Sequence, residues 1–479
     1  MITRWIAARW RCEGGYRQVL KVAIPLMLST AAWSAQYFVD RMFLLWYSKE
    51  AISASMQASM MSFTALALFL ATASYCNTFV AQYVGAKQPG MVGRAVWQAV
   101  FFSIGAGILL FAIRSIGGPV FRWVGHNAVL QEMEVTYFRI ILAGAIFPLV
   151  GDAVASFFSG RAETWTIMWV NFVAVGVNIF LNWLWIFGHW GFPEMGVAGA
   201  AKATVVAYFV RGTLFFLLMA RRKYRHKFGI FSGFCFDRGL FFRLIRFGLP
   251  SGVTFSLDIL VWTLFVAVIG NIGVKEFAAT TVTFQINTIA FMPMIGIGIA
   301  VSTLVGQYMG KKNPDLAARC TWSAMHISIL YMGSVAILFL TIPGVFLAPF
   351  GANADPEEFP AIAEIVKTLL RFVAIYTFFD GIIISISGAL KGAGDTRFPV
   401  VATLVLSWTV MLMPIITLYK KGFRSIKLTW LFAILYLVSL AITMVLRFLW
   451  GKWRTMKVIE EVPPPHIMPH ADIPPIDIE

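Results

Sequence analysis

Long apolar stretches, separated by short segments rich in glycine and charge, run through the chain from residue 22 to residue 450. A helix needs about 20 mostly apolar residues to cross a bilayer. Twelve stretches meet that requirement, at about 22–46, 51–80, 95–116, 134–159, 166–188, 196–220, 244–270, 277–305, 319–342, 364–390, 399–419 and 428–450. The pattern predicts an all-α polytopic membrane protein with twelve transmembrane helices, numbered here as spans 1 to 12.

The composition supports this interpretation and excludes several classes of protein. Of the 479 residues, 59% are hydrophobic and 13% are charged, against about 25% charged in an ordinary soluble domain. This excludes a soluble enzyme, a disordered chain and a nucleic-acid-binding module. The sequence also lacks a phosphate-binding GxxxxGK[ST] loop, an HExxH zinc motif and a GxSxG elbow. We therefore expect no enzymatic activity and no cofactor apart from a coupling ion.

The net charge of +16 is unevenly divided between the two sides of the predicted topology. Of the 39 Lys and Arg residues, 25 fall on the side that carries both termini and 8 on the other. Because cytoplasmic loops are enriched in Lys and Arg, this predicts that both termini are cytoplasmic. A basic cluster at 420–427 runs against the assignment and has no evident physical explanation.

The chain repeats itself once. VAQYVGAKQP at 80–89 returns as VGQYMGKKNP at 305–314, and GRAET at 160–164 has a weaker echo in GAGDT at 392–396. Six spans in each half bring the chain back to the same side, so the halves are expected to be parallel repeats. The predicted organisation is a basic arm (1–21), a six-helix lobe (22–220), a basic linker (221–243), a second six-helix lobe (244–450) and a disordered cytoplasmic tail (451–479).

Acidic residues inside apolar spans are the main candidates for function. An ionised carboxylate at the bilayer centre costs about 2.5–3.5 kcal/mol on the mildest scale, so such residues usually face a polar cavity. Four are present: Asp40, Asp152, Asp258 and Asp380. Asp258 and Asp380 are the strongest candidates, because each lies deep in its span among apolar neighbours.

If Asp258 and Asp380 converge, two carboxylates in a poorly solvated site cannot both remain ionised without help. Either one keeps a proton or a small cation sits between them, which would be Na⁺ if the protein is sodium-coupled. Tyr376, one helical turn before Asp380, can add a hydroxyl or a ring face to the cation's surroundings. We therefore expect these three residues to form a cation-coupling centre.

The N-terminal half has its own polar residues. Asn178 and Asn182 lie four residues apart on one face of span 5 and can either join Asp40 in a hydrogen-bonded cluster or hold helices together. For Asp152, a functional role and a structural role, hydrogen-bonded near Ser156 and Ser159, are equally compatible with the sequence. The sequence does not choose between these alternatives.

Several local motifs resemble the multidrug and toxic compound extrusion (MATE) family, and its NorM-type bacterial branch in particular. The similar segments are FVD at 38–40, VAQYVGA at 80–86, GLPSG at 248–252 and GALKGAGDTR at 388–397. The resemblance covers residues 17–450. It implies two six-helix bundles arranged as a V around a central cavity. It also implies export of cationic or amphipathic small molecules from the bacterial cytoplasm, in exchange for Na⁺ or H⁺, by a monomer in the inner membrane.

The resemblance also implies roles for individual residues. Asp380 and Tyr376 stand at the family's span 10 aspartate and cation-lining tyrosine, and Asp258 stands where NorM-type proteins usually have a glutamate. Asp40 occupies the span 1 aspartate, with Asn178 and Asn182 at the polar pair near it. Two departures are notable: Asp258 is one methylene shorter than glutamate, and Arg41 follows Asp40 where relatives carry a small polar residue.

Two other functions remain as alternatives. A flippase for lipid-linked saccharides shares the architecture, but pyrophosphate cargo favours a basic cavity, and these spans hold more acid than base at mid-depth. A receptor or scaffold without transport does not account for the parallel repeats and the buried acids. Export of cationic cargo is the interpretation that the sequence favours.

Overall fold

A computed structural model of the chain describes residues 9–124, 126–351 and 359–460. Regular secondary structure in these ranges is helical throughout, and the helices fall on the predicted spans. In order, the spans are Tyr16–Tyr47, Lys49–Gly85, Pro89–Ile113, the pair Ala128–Ala143 and Ile146–Gly160 bent by 42°, Thr164–Phe187, Gly196–Met219, Arg238–Gly270, Val274–Gly310, Pro314–Thr341, Phe359–Ala393, Arg397–Lys420 and Ile426–Trp450. The prediction of an all-α protein with twelve spans is confirmed.

Capping residues and glycines explain where several spans begin and end. Asp237 accepts a hydrogen bond from the backbone N–H of Leu240 at 3.0 Å, so span 7 begins at Arg238, earlier than the apolar pattern alone indicates. Such caps satisfy the unpaired N–H groups of a first helical turn. Span 12 ends at Gly451, whose φ of 75° lies in the left-handed region that favours glycine.

The sequence repeat returns as a backbone repeat. Lys87 and Lys312, at equivalent positions after spans 2 and 8, have φ values of 57° and 55°. Ala162 and Gly394, after spans 4 and 10, also have positive φ, at 60° and 101°. Because non-glycine residues rarely adopt this conformation, its recurrence at matched positions indicates that the two halves share one local fold.

The two halves pack against each other through spans 1 and 8 and through spans 2 and 7. Small residues allow this close approach. A Cβ atom added to Gly296 would lie 2.6 Å from the backbone nitrogen of Met27, and one added to Gly252 would lie 2.4 Å from the carbonyl oxygen of Leu68. Close contacts at small residues are typical of helices that pack inside membranes. We refer to spans 1–6 and spans 7–12 as the N-lobe and the C-lobe.

Two matched hydrogen bonds join the lobes at one end. The Gln82 side chain of the N-lobe donates to the Gly392 carbonyl oxygen at 2.9 Å, and Gln307 of the C-lobe donates to the Gly160 carbonyl oxygen at 2.9 Å. Both glutamines come from the repeated VxQYxG segment. Every inter-lobe hydrogen bond between described residues lies at this end, where residues 9–18 also contact the C-lobe. We call this set of contacts the seam.

The segment after span 12 is folded over residues 451–460. Lys452–Thr455 forms one turn of 3₁₀-helix, Trp453 is buried with its ring 4.9 Å from that of Phe448, and Val458 is buried beside the backbone of Gly394. The prediction of a disordered tail from 451 is therefore wrong for these ten residues, because apolar side chains anchor them to the C-lobe. The rest of that predicted tail, 461–479, lies outside the described residues, as do residues 1–8 of the predicted arm.

Candidate functional site

The structure places Asp258 and Asp380 within electrostatic reach of each other in the C-lobe. Asp258 lies in the middle of span 7 and Asp380 in the second half of span 10, and both side chains are partly buried. The two carboxylates are close enough for the charge of one to act on the other. No described lysine or arginine contributes a compensating charge at either group. The site therefore carries two acidic groups and no fixed counter-charge from the described chain.

Aromatic residues lie near this acidic pair. Tyr376, one turn before Asp380, is buried, and its ring lies 6.3 Å from those of both Trp262 and Trp430. Tyr436 on span 12 is also buried and lies within electrostatic reach of both carboxylates. Phenolic oxygens and aromatic faces are groups that can contact a cation. Tyr436, Trp262 and Trp430 were not among the sequence candidates, and no local motif marks them.

The arrangement restricts what the C-lobe site can hold. Two carboxylates within electrostatic reach of each other repel unless a proton or a cation neutralises part of their charge. Carboxylate and hydroxyl oxygens suit hard cations such as Na⁺, and Asp258, Asp380 and Tyr376 are the residues that could contact one. Among the described residues no cluster of three or more His, Cys, Asp or Glu side chains is present, so the geometry does not resemble a tight multi-carboxylate metal centre.

The predicted N-lobe residues also come together. The Asn182 side chain donates to the Asp40 carboxylate and also lies 3.1 Å from the side-chain oxygen of Asn178. Asn178 in turn donates to the Thr204 hydroxyl at 3.5 Å, and Gln36 lies near the Asp40 carboxylate. The two asparagines thus do both things considered from the sequence: they join Asp40 in one cluster and link span 5 to spans 1 and 6.

Positive charge distinguishes the N-lobe cluster from the C-lobe pair. Arg41 lies within electrostatic reach of Asp40 and of the hydroxyl groups of Tyr37 and Tyr137. A cation beside Asp40 offsets its charge and opposes binding of a second cation there. The Asp40 carboxylate thus has polar neighbours in Asn182 and Gln36 as well as the nearby charge of Arg41.

Asp152 forms an ion pair that the sequence analysis did not anticipate. Its carboxylate accepts a hydrogen bond from the guanidinium group of Arg211 on span 6, whose side chain is only 8% exposed. Ser156 contacts the Asp152 carbonyl rather than its carboxylate. The sequence left the role of Asp152 open; in the structure its carboxylate pairs with Arg211 on another helix rather than with Ser156 or Ser159. The sequence feature that could have indicated this pair is Arg211, a basic residue within an apolar span.

Close helix packing holds this pair in position. A Cβ atom added to Gly212, beside Arg211, would lie 3.5 Å from the Cα atom of Gly151, beside Asp152. Two glycines thus bring spans 4 and 6 together at the level of the ion pair. The guanidinium carbon of Arg211 also lies 5.5 Å from the ring of Trp33, a cation–π distance.

Comparisons with known proteins agree with this architecture. A family model described as MatE matches residues 25–184 and 250–417, more than half of the chain. A probable multidrug resistance protein NorM from Thermotoga maritima is 26% identical over 448 residues, which cover 92% of this chain and 94% of the relative.

Two solved structures share the fold at low sequence identity. The first is a multidrug resistance MATE family transporter in an outward-facing conformation, with a TM-score of 0.83, 17% identity and coverage of 93% of this chain and 96% of that one. The second is a MOP superfamily transporter from Pyrococcus furiosus for which a binding pocket of reversed polarity is described, with a TM-score of 0.82, 18% identity and the same coverage. The family match over more than half of the chain establishes that it belongs to the MATE family of membrane transporters, and proteins named NorM are similar to it over most of its length.

Proposed function

We propose that this protein is a cation-coupled antiporter that exports cationic or amphipathic small molecules in exchange for Na⁺ or H⁺. The observation that carries the proposal is the pair of C-lobe carboxylates, Asp258 and Asp380, without a described basic partner. A proton or a small cation neutralises such a site and competes with a cationic cargo for it. That competition links entry of the ion to exit of the cargo.

Two further observations support export. NorM relatives across most of the chain are named multidrug resistance proteins. Near the C-lobe site, the partly exposed ring of Trp262 offers a surface for a flat organic cation, and the buried rings of Tyr376 and Trp430 support it.

The seam supports alternating access of the two lobes. Matched hydrogen bonds from Gln82 and Gln307 join the lobes at one end of the molecule. No inter-lobe hydrogen bond between described residues lies toward the opposite end. We infer that the structure corresponds to a state open at the end opposite the seam. Transport then requires the seam to separate while contacts form at the other end.

The flippase alternative has less support from the site. Pyrophosphate cargo needs unpaired basic groups in the cavity, yet Arg211 is paired with Asp152 and Arg41 faces Asp40. The C-lobe pair adds negative charge without any described basic partner. We therefore favour cationic cargo over a lipid-linked saccharide.

The proposed protein is a monomer of the bacterial cytoplasmic membrane with both termini in the cytoplasm. The distribution of Lys and Arg supports the orientation of the termini. Reporter fusions at the C-terminus, active only in the periplasm or only in the cytoplasm, test that orientation. Light scattering of the purified protein in detergent tests the monomer that the family precedent implies.

Transport by purified protein in lipid vesicles tests the function. Vesicles preloaded with ethidium receive an imposed Na⁺ gradient, an imposed H⁺ gradient or neither. We expect ethidium efflux with one of the two gradients, and none from the double variant Asp258→Asn/Asp380→Asn. Movement of a lipid-linked saccharide without any ion dependence would instead support the flippase.

Asp315→Asn is the matched control. Asp315 is 82% exposed and pairs with Arg454 outside the membrane core, so this variant removes a carboxylate without touching the C-lobe site. Equal loss of efflux in the control and in the double variant would contradict the proposal.

A further inference from the structure

A basic pocket lies outside both lobe sites, at the end of the molecule that carries the seam. Its volume is about 570 Å³, and it lies between the first turns of span 7 and the folded segment after span 12. The residues around it are Gly239, Phe242, Arg243, Arg246, Phe247, Lys457, Ile459 and Glu460. Segments more than 200 positions apart in sequence therefore build one cavity.

The charge of the pocket suits an anionic ligand. Arg243, Arg246 and Lys457 face one acidic residue, Glu460, which forms an ion pair with Arg243. Arg246 is exposed and has no ion-pair partner among the described residues. The positive charge of Arg246 is therefore available to a ligand in a concave site whose other lining bases are Arg243 and Lys457, which favours a phosphate group.

The length of span 7 puts the pocket at the depth of the lipid headgroups. Residues 248–270 alone form a helix about 34 Å long, enough to cross a hydrocarbon core of about 30 Å. The preceding helical residues, Arg238 to Phe247, then stand in the interfacial layer. The pocket opens among them.

An exposed phenylalanine lines the pocket, and further exposed phenylalanines lie in the preceding linker. Phe242 is 64% exposed and lines it directly, and Phe231, Phe234 and Phe236 of the linker are also exposed. Exposed aromatic side chains of this kind are favoured where a protein meets the membrane interface. They offer acyl chains an apolar surface beside the basic groups.

We propose that this pocket binds the phosphate headgroup of an anionic phospholipid drawn from the leaflet on the seam side. Arg246 and Lys457 contact the phosphate, Arg243 remains shared with Glu460, and Phe242 packs against the upper part of the acyl chains. Basic pockets between transmembrane helices bind anionic lipids by this combination of charge and depth. The proposal is independent of what the lobes transport.

The pocket also adjoins the seam. Tyr83 of span 2, in the repeated VxQYxG segment, lies within electrostatic reach of both Arg243 and Glu460. Tyr83 belongs to the N-lobe, whereas the pocket is built from C-lobe residues. A lipid bound here would therefore lie beside the contact that holds the two lobes together.

Native mass spectrometry of the full-length protein tests the proposal. The purified protein is titrated with phosphatidylglycerol or with zwitterionic phosphatidylcholine of the same acyl chains. We expect selective retention of phosphatidylglycerol. Arg246→Gln and, separately, Lys457→Gln should each weaken this binding about fivefold, the effect of one basic group at a membrane surface.

Lys452→Gln is the matched control, because Lys452 is an exposed base on the same segment but outside the pocket. Its binding of phosphatidylglycerol should equal that of the unaltered protein. Equal affinity for the two lipids would overturn the proposal, as would an equal loss in the control. Displacement of the lipid by millimolar inorganic phosphate would identify a site for the free ion and would also overturn it.

Discussion

The two lobes share a backbone repeat but differ in how they balance buried charge. The C-lobe holds Asp258 and Asp380 without a described basic partner, whereas the N-lobe surrounds Asp40 with amide groups and joins Asp152 to Arg211. The N-lobe therefore supplies partners for its own acids, whereas the described residues supply no basic partner for the C-lobe pair. Duplication of a fold has thus left two sites with different chemical requirements.

The difference follows from the cost of burying charge. A buried carboxylate paired with an arginine is satisfied by the protein itself, and breaking such a pair is strongly destabilising. A carboxylate pair without a base remains available to a mobile ion. Under the proposed function, an ion gradient acts in the C-lobe, and the N-lobe has mainly a structural role.

The largest expected effect comes from the C-lobe carboxylates taken one at a time. Asp258→Asn and Asp380→Asn should each reduce gradient-driven ethidium transport to the level of empty vesicles, because a single carboxylate no longer forms the shared site. Asp40→Asn, in the N-lobe, should leave measurable transport. Unimpaired transport in both C-lobe variants would remove the distinction between the lobes.

Breaking the N-lobe ion pair should mainly affect stability. Arg211→Gln leaves Asp152 without its partner and should lower the free energy of unfolding by about 3 kcal/mol. The double variant Arg211→Gln/Asp152→Asn should recover part of that loss, because no unpaired charge remains. Denaturant titration in detergent measures both.

A surface pair provides the comparison for this measurement. Arg454→Gln removes an exposed partner of Asp315 and should cost less than about 1 kcal/mol. If Arg211→Gln proved no more destabilising than Arg454→Gln, the N-lobe pair would have no structural role.

At the seam the lobes should behave alike. Gln82→Ala removes a buried hydrogen bond and Gln307→Ala a partly buried one, each at a cost of about 1–2 kcal/mol. Each should shift the population toward a separated seam by about tenfold, and by similar amounts. Distances between spin labels across the seam, measured by electron paramagnetic resonance, report the shift.

Asn271→Ala is the control for the seam variants, because Asn271 lies at the opposite end and its side chain bonds only to its own helix. A strong effect of one glutamine with none of the other would show that the repeated sequence does not act symmetrically.

The smallest expected effect concerns Arg41. Arg41→Gln removes a positive charge near Asp40 and should strengthen cation binding in the N-lobe about fivefold. This corresponds to about 1 kcal/mol, the interaction of two nearby charges at the dielectric constant of water. Tryptophan fluorescence during ethidium titration measures this in an Asp258→Asn/Asp380→Asn background, which isolates the N-lobe. Lys420→Gln, at an exposed lysine, should change nothing; an unchanged affinity in the Arg41 variant would mean that its charge is fully screened.

The candidate site was only partly accessible from the sequence. Asp258, Asp380 and Tyr376 stood out because charged and polar groups are costly in an apolar span. Tyr436 did not, since a tyrosine in an apolar helix is ordinary until its neighbours are known. Arg211 was visible as an intramembrane base, but its pairing with Asp152 depends on how spans 4 and 6 face each other.

The sequence by itself determined the twelve spans, the repeat and the acids inside the membrane. These are local properties, because helix length and the cost of burying a charge depend on the residues of one segment. Only the tertiary structure decided which acids are paired, which carbonyl groups Gln82 and Gln307 reach, and that residues 451–460 fold back onto the C-lobe. Such contacts join segments far apart in the chain, and one apolar helix face looks much like another until the helices are packed.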